Sequence, residues 1–153
     1  MAYWLLKSEP SMFALADLQA SAQQTTRWDG VRNYQVRNLI RDTMRPNDEG
    51  FFYHSSCPEP GIVGVVRIVS EAYPDPTAFD PASPYYDPSS DPNHPRWLAM
   101  DVRLIRPVPL LSLAMLRQYP PLSEMLVLRK GNRLSITPLT PEQWRFILDL
   151  RPA

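Results

Sequence analysis

A chain of 153 residues, with 44% hydrophobic and 21% charged side chains, has the composition of a folded globular protein and the length to bury a core without covalent staples. Sixteen basic residues balance sixteen acidic ones, which argues against a general polyanion binder but says nothing about a local basic patch. Cys57 is the only cysteine, and His54 and His94 are the only histidines, so an internal disulfide and a multi-cysteine zinc site are excluded and neither metal nor cofactor is expected.

The opening MAYWLLKSEP carries an apolar run too short for a signal peptide, and it lacks a preceding positive charge. No stretch of roughly 18 apolar residues exists to span a membrane. The expectation is one monomeric, cytoplasmic domain over residues 1–153, with no membrane partner. Tyr3–Lys7 reads as a buried strand ended by Ser8-Glu9-Pro10. Met12, Leu15 and Leu18 have helical spacing and predict a short helix capped by Ser11. Trp28–Val31 reads as a turn around Gly30. From Asn33, which can cap its start, a second helix buries Val36, Leu39 and Ile40. Pro46–Gly50 is a turn.

FFYHSS (Phe51–Ser56) and the β-branched run Gly61–Tyr73 predict a hairpin across Cys57–Pro60, with Gly61 and Gly64 marking a bulge or a close backbone approach. Pro74–Pro95 follows with seven of the 18 prolines and four Asp-Pro pairs, a density no sheet interior accepts. It reads as an irregular excursion partly ordered by Phe79, Tyr85 and Tyr86. Its Asp87, Asp91 and His94 are better explained as turn caps than as cation ligands. Arg96–Val108 alternates as a strand. A short helix over Leu111–Tyr119, another over Leu122–Leu128, and a strand over Arg133–Leu139 follow. Thr140, Pro141 and Gln143 then start a closing helix with a capping box. Too few crossover helices for a parallel sheet indicate an α+β fold with a curled, barrel-like sheet.

The segment WDGVRNYQVRN (Trp28–Asn38) is built unlike a core helix or an ordinary loop. Arg37, Arg41 and Arg45 recur every four residues on one helix face, and Arg27 and Arg32 precede them, against only Asp29 and Asp42 as acids. Such an excess near a helix start can meet phosphates, or it can be a solvated stripe. KSEP, YHSS and RLSITP each place polar or aromatic groups at a strand end. A planar, hydrogen-bonding ligand requires an aromatic face, edge-reading Ser, Asn and Glu, and arginines for phosphate.

YWLLKSEP, WDGVRNYQVRN, FFYHSS with GIVGVV after it, the RW that opens the Arg96 strand, and RLSITPL before a last helix together resemble the EVE domain family of the PUA-like superfamily. The resemblance spans essentially the whole chain. Val36 departs from it, standing where a smaller residue is expected, a difference of packing. The resemblance implies a PUA-like mixed β pseudo-barrel flanked by short helices, with the irregular insertion at about 74–95. It also implies a non-catalytic domain whose pocket reads a modified base, methylated or hydroxymethylated, in DNA or RNA. Trp28 is expected as the aromatic wall and Tyr53 as a second aromatic. Ser8, Glu9, Asn33, His54 and Ser55 are expected on the base edge, Ser135 on the floor, and Arg32 and Arg37 on phosphates.

Other readings of the same residues stand beside this one. Trp28 can be a core aromatic, and Glu9 the ion-pair partner of a cation. A small hydrolase acting on a modified base is the alternative function, with Lys7, Ser8 and Glu9 at the pocket edge, although alternation along a strand lets only two of them share a face. His54 and Cys57 resemble a base and nucleophile but lack a third partner. An interaction module using Pro74–Pro95 is the remaining class.

Overall fold

The computed structural model describes residues 1–150. In chain order these form β1 (Tyr3–Ser8), α1 (Leu15–Ala20), β2 (Thr25–Trp28), α2 (Tyr34–Asp42), β3 (Glu49–His54), β4 (Gly61–Ile68), β5 (Tyr73–Pro74), β6 (Leu98–Ser112), α3 (Leu113–Leu116), β7 (Ile136–Leu139) and α4 (Pro141–Asp149), with short 3-10 turns between. One mixed sheet runs in the order β2-β6-β4-β3-β1-β7, and β5 adds to β6. β1 and β3 are parallel while every other pair is antiparallel. This is the expected α+β architecture.

Strand alternation divides the core in two. Trp4 and Leu6 of β1, Phe52 of β3, Val66 of β4 and Met100, Val102 and Leu104 of β6 share one cluster with Trp28, Val36 and Ile40. Leu5, Phe51, Tyr53, Ile62 and Val65 point the other way and pack under α4, where Trp144 stacks on both Tyr3 and Phe51. Val36, the unusual valine, is fully buried in the first cluster.

Local start signals proved reliable where the cap is a side chain. Asn33 Oδ1 accepts the Val36 N–H at 3.0 Å, and Thr140 and Gln143 cap α4 reciprocally at 3.1 and 3.0 Å. The predicted hairpin is β3–β4. The register against β6 slips between Ile62 and Gly64, where β6 contributes Pro107 and Pro109, residues with no N–H for the ladder.

Several boundaries differ from expectation. α1 begins at Leu15, with Ala14 as its N-cap and the Asp17 carboxylate accepting the Ala14 N–H at 2.7 Å, so Ser11 caps nothing and Met12 sits in the preceding turn. Trp28 ends a strand rather than opening a turn. β4 stops at Ile68, leaving Tyr73 to the two-residue β5. The helix expected over Leu122–Leu128 is two 3-10 turns, at Pro120–Leu122 and Leu126–Leu128. β7 starts only at Ile136.

The proline-rich excursion is pinned by side chains. Asp75, Asp80, Asp87 and Asp91 each accept the N–H two residues ahead, at 2.8–3.0 Å, as turn caps. Asp87 also accepts the Trp97 indole N–H at 2.8 Å.

Candidate functional site

β2 and β7 are the outermost strands of the hydrogen-bonding order, yet Thr26 and Trp28 from β2 and Ser135 just before β7 line one cavity. The sheet therefore curls until its two edges face each other without pairing. The cavity, about 650 Å³, occupies that open seam. Its size falls within the roughly 300–1,000 Å³ of small-ligand pockets. The end of β1 brings Lys7, Ser8 and Glu9 to it, and the turn that follows brings Met12 and Phe13.

Trp28 belongs to the core and to the cavity at once. It is 9% exposed and meets Phe52 edge-to-face, with ring centroids 6.0 Å apart. Of the four indoles, Trp4 and Trp97 donate to Asp48 and Asp87. The N–H groups of Trp28 and Trp144 have no acceptor among the described residues and are not sealed from open space. A largely buried indole that lines a cavity offers its ring to a planar ligand at little further cost in order.

Another part of the wall comes from the proline-rich segment, through Tyr85. Gly30 has φ +76°, and its N–H donates to Asp75 Oδ2 at 2.9 Å. The Tyr85 ring lies against its Cα, 2.7 Å from where a Cβ would stand. Only glycine satisfies both conditions. Along the polar edge, Ser8 Oγ donates to Phe13 O at 2.6 Å, and Asp29 pairs with Arg27 at 2.9 Å in an exposed contact worth well under about 1 kcal/mol. The exposed Glu9 carboxylate and the hydroxyls of Thr26 and Ser135 have no side-chain hydrogen bond among the described residues. Burial lowers the Lys7 pKa, although strand alternation assigns its side chain to the face of Tyr3 and Leu5.

Ser8, Glu9, Trp28 and Ser135 thus meet at one cavity, and the other expected site residues lie elsewhere. Asn33 caps α2. Tyr53 is 2% exposed on the opposite face of the sheet, because it follows Phe52 by one residue, and burial pushes its pKa up to about 12. His54 Nε2 accepts the Leu15 N–H at 3.1 Å, engaging the imidazole with α1 rather than with Cys57. Ser55 contributes its backbone, donating to Ser8 O at 2.9 Å.

The arginines expected on phosphates are engaged within the chain. Arg32 donates to Tyr85 O at 2.6 and 3.1 Å, to buried Asp75 at 3.0 Å and to Thr77 at 3.2 Å, and it lies over the rings of Tyr85 and Trp97. Arg37 donates to Arg96 O and Asn38 Oδ1, each at 2.8 Å, and covers Tyr34. Arg41 pairs with Asp42, and Arg45 donates to the carbonyls of Asp42 and Met44. The sequence reading missed Thr26, Asp29, Met12 and Tyr85 as lining residues. Thr26 and Asp29 flank Trp28 and were within reach of it, whereas nothing local to Tyr85 announces its partner 55 residues earlier.

Among the described residues no group of three or more His, Cys, Asp or Glu is placed to hold a metal ion, and no helix is long and apolar enough to cross a membrane.

An unclosed, curled mixed sheet with short flanking helices and an aromatic-walled cavity at its seam defines a PUA-like domain. The chain belongs to the EVE domain family, whose pattern matches residues 2–150. It is 46% identical over 169 residues to rat thymocyte nuclear protein 1, covering 99% of this chain and 74% of that protein. Human THYN1 protein, solved in complex with 5-methylcytosine containing DNA, superposes with a TM-score of 0.92 at 44% identity over 99% of this chain and 100% of that one. A crystal structure of a Pseudomonas syringae protein matches with a TM-score of 0.90 at 51% identity, over 96% and 97% of the two chains.

Proposed function

We propose that this chain binds nucleic acid and holds one modified nucleobase in the seam cavity without altering it chemically. The observation that carries the reading is Trp28: a largely buried indole that lines a cavity large enough for a base. The family relative in complex with 5-methylcytosine containing DNA makes that base the first to test, and DNA the favoured polymer over RNA. The indole would stack on or edge the ring, a contact worth about 1–3 kcal/mol. Glu9 would accept from an exocyclic amine, and Ser135 and Thr26 would address the remaining edge. Val31 and Phe13 supply apolar surface for a methyl group.

One base in such a cavity binds weakly, at roughly micromolar to millimolar Kd, and the phosphates of a polymer would tighten it in a salt-dependent way. Because the base enters a concavity rather than lying on a flat surface, it must leave its stack to do so. Titration of matched oligonucleotides carrying cytosine or 5-methylcytosine, followed by tryptophan fluorescence, tests the reading. Tighter binding of the methylated strand is expected, and equal affinity would overturn it. Mass spectrometry of 5-methyldeoxycytidine recovered after long incubation separates a reader from a hydrolase: the reader returns it unchanged.

A further inference from the structure

Five large apolar side chains are exposed on the described surface: Met1, Met12, Tyr34, Tyr86 and Ile105. Of these, only Met12 lines the seam cavity, and it does so while 67% exposed. A lone exposed methionine on a surface requires no explanation. One fixed at the mouth of a ligand cavity does.

The backbone beneath Met12 is held on every side. The N–H groups of Met12 and Phe13 both donate to Glu9 O at 2.9 Å, and Phe13 O accepts Ser8 Oγ at 2.6 Å. Ala14 N–H is taken by Asp17 at 2.7 Å and Leu15 N–H by His54 Nε2 at 3.1 Å. The turn is thereby anchored to β1, α1 and β3, while the side chain it presents packs against little. An anchored turn with an apolar tip beside a cavity is a rigid projection.

We infer that Met12 is the wedge that enters the stack of a duplex when the target base leaves it for the cavity, so that the partner is double-stranded DNA rather than a single strand. The inference rests on the base-pocket reading given above. Extruding a base leaves a gap one base thick next to the pocket that receives it. Apolar side chains inserted between base steps hold such gaps open and repay part of the lost stacking. Methionine is unbranched and polarizable, which suits it to a gap of irregular shape. A single strand offers no comparable gap, and a free nucleoside offers none at all.

The test compares wild type, Met12→Ala and Met12→Leu on three probes: 5-methyldeoxycytidine, a single-stranded oligonucleotide with one 5-methylcytosine, and the same strand in a duplex with 2-aminopurine opposite or beside the modified base. Because Met12 also lines the cavity, the readout is the ratio: Met12→Ala should weaken duplex binding roughly tenfold more than it weakens binding of the nucleoside or the single strand, with a smaller 2-aminopurine fluorescence rise. Met12→Leu should restore both duplex signals. Equal losses on single strand and duplex, or no loss on either, would overturn the wedge while leaving the pocket reading intact. Failure of wild type to bind the nucleoside at all would overturn the pocket reading, and the wedge with it.

Discussion

Gly30 carries the ring of Tyr85 directly on its Cα, in a backbone conformation that L side chains rarely adopt. A sharp turn after β2 and the Tyr85 wall of the cavity are therefore one device. Gly30→Ala adds left-handed strain of about 1–2 kcal/mol and forces the Tyr85 ring away. The expected outcome is lower urea stability together with weaker base binding, because the wall is displaced. Unchanged binding in a destabilised protein would show that Tyr85 does not shape the pocket.

Arg32 should act on stability and not on phosphate binding. Its guanidinium ties buried Asp75, Thr77 and Tyr85 O to the segment after β2. Hydrogen bonds from Thr77, Gly30 and Arg32 together outweigh the effect of burial and hold the Asp75 pKa below its ordinary value. Breaking a buried pair costs roughly 3–5 kcal/mol, and because Arg32 is partly exposed and Asp75 keeps other partners, Arg32→Ala should fall below that range, at about 2–3 kcal/mol. Chemical denaturation reads that loss. The slope of oligonucleotide affinity against salt should stay as in wild type.

Trp28 and Tyr53 should separate cleanly. Trp28→Phe keeps an aromatic in the core but removes the indole N–H and part of the stacking face, so base affinity should fall about five- to twentyfold, on the order of 1–2 kcal/mol. Tyr53→Phe lies on the other side of the sheet and should leave base affinity unchanged. Isothermal titration with 5-methyldeoxycytidine measures both.

That pair also marks the limit of what the amino-acid pattern can show. The caps of α2 and α4, the β3–β4 hairpin and the turn-capping aspartates are legible because partner and signal lie within a few residues. Phe51-Phe52-Tyr53 is apolar throughout, so no polar alternation reveals which face each residue takes. β2 reads as a polar stretch, TTRW, and becomes a strand only through pairing with Met100–Arg103, more than 70 residues away. Met12 has the right spacing from Leu15 and Leu18 for a helix face, and only the later start of α1 places it at the cavity mouth. Ser8, Trp28 and Ser135 were legible as polar or aromatic groups at strand ends. Their convergence depends on the curl of the sheet, which no local motif encodes.

His54 predicts a pH dependence of stability. Burial holds its imidazole below the ordinary histidine value, and Nε2 must stay unprotonated to accept the Leu15 N–H. Between the folded and unfolded pKa values the unfolded chain binds more protons, so unfolding free energy rises with pH there. The contribution is fully present above the unfolded value of about 6.5 and is lost as pH falls through the folded one. Asp75 and Asp87, whose pKa values lie below the ordinary carboxylate range, lose their contributions only in more acidic solution. Urea midpoints should therefore fall from pH 7.5 to 5, and His54→Gln, which keeps an acceptor for Leu15, should flatten that fall.

The indole N–H resonances of the chain report most directly on whether a base enters the seam. Titrating 5-methyldeoxycytidine into ¹⁵N-labelled protein should shift the Trp28 signal strongly and leave those of Trp4, Trp97 and Trp144 nearly in place. A Trp28 resonance that stays fixed while the nucleoside binds, or that moves no more than the other three, would contradict the account.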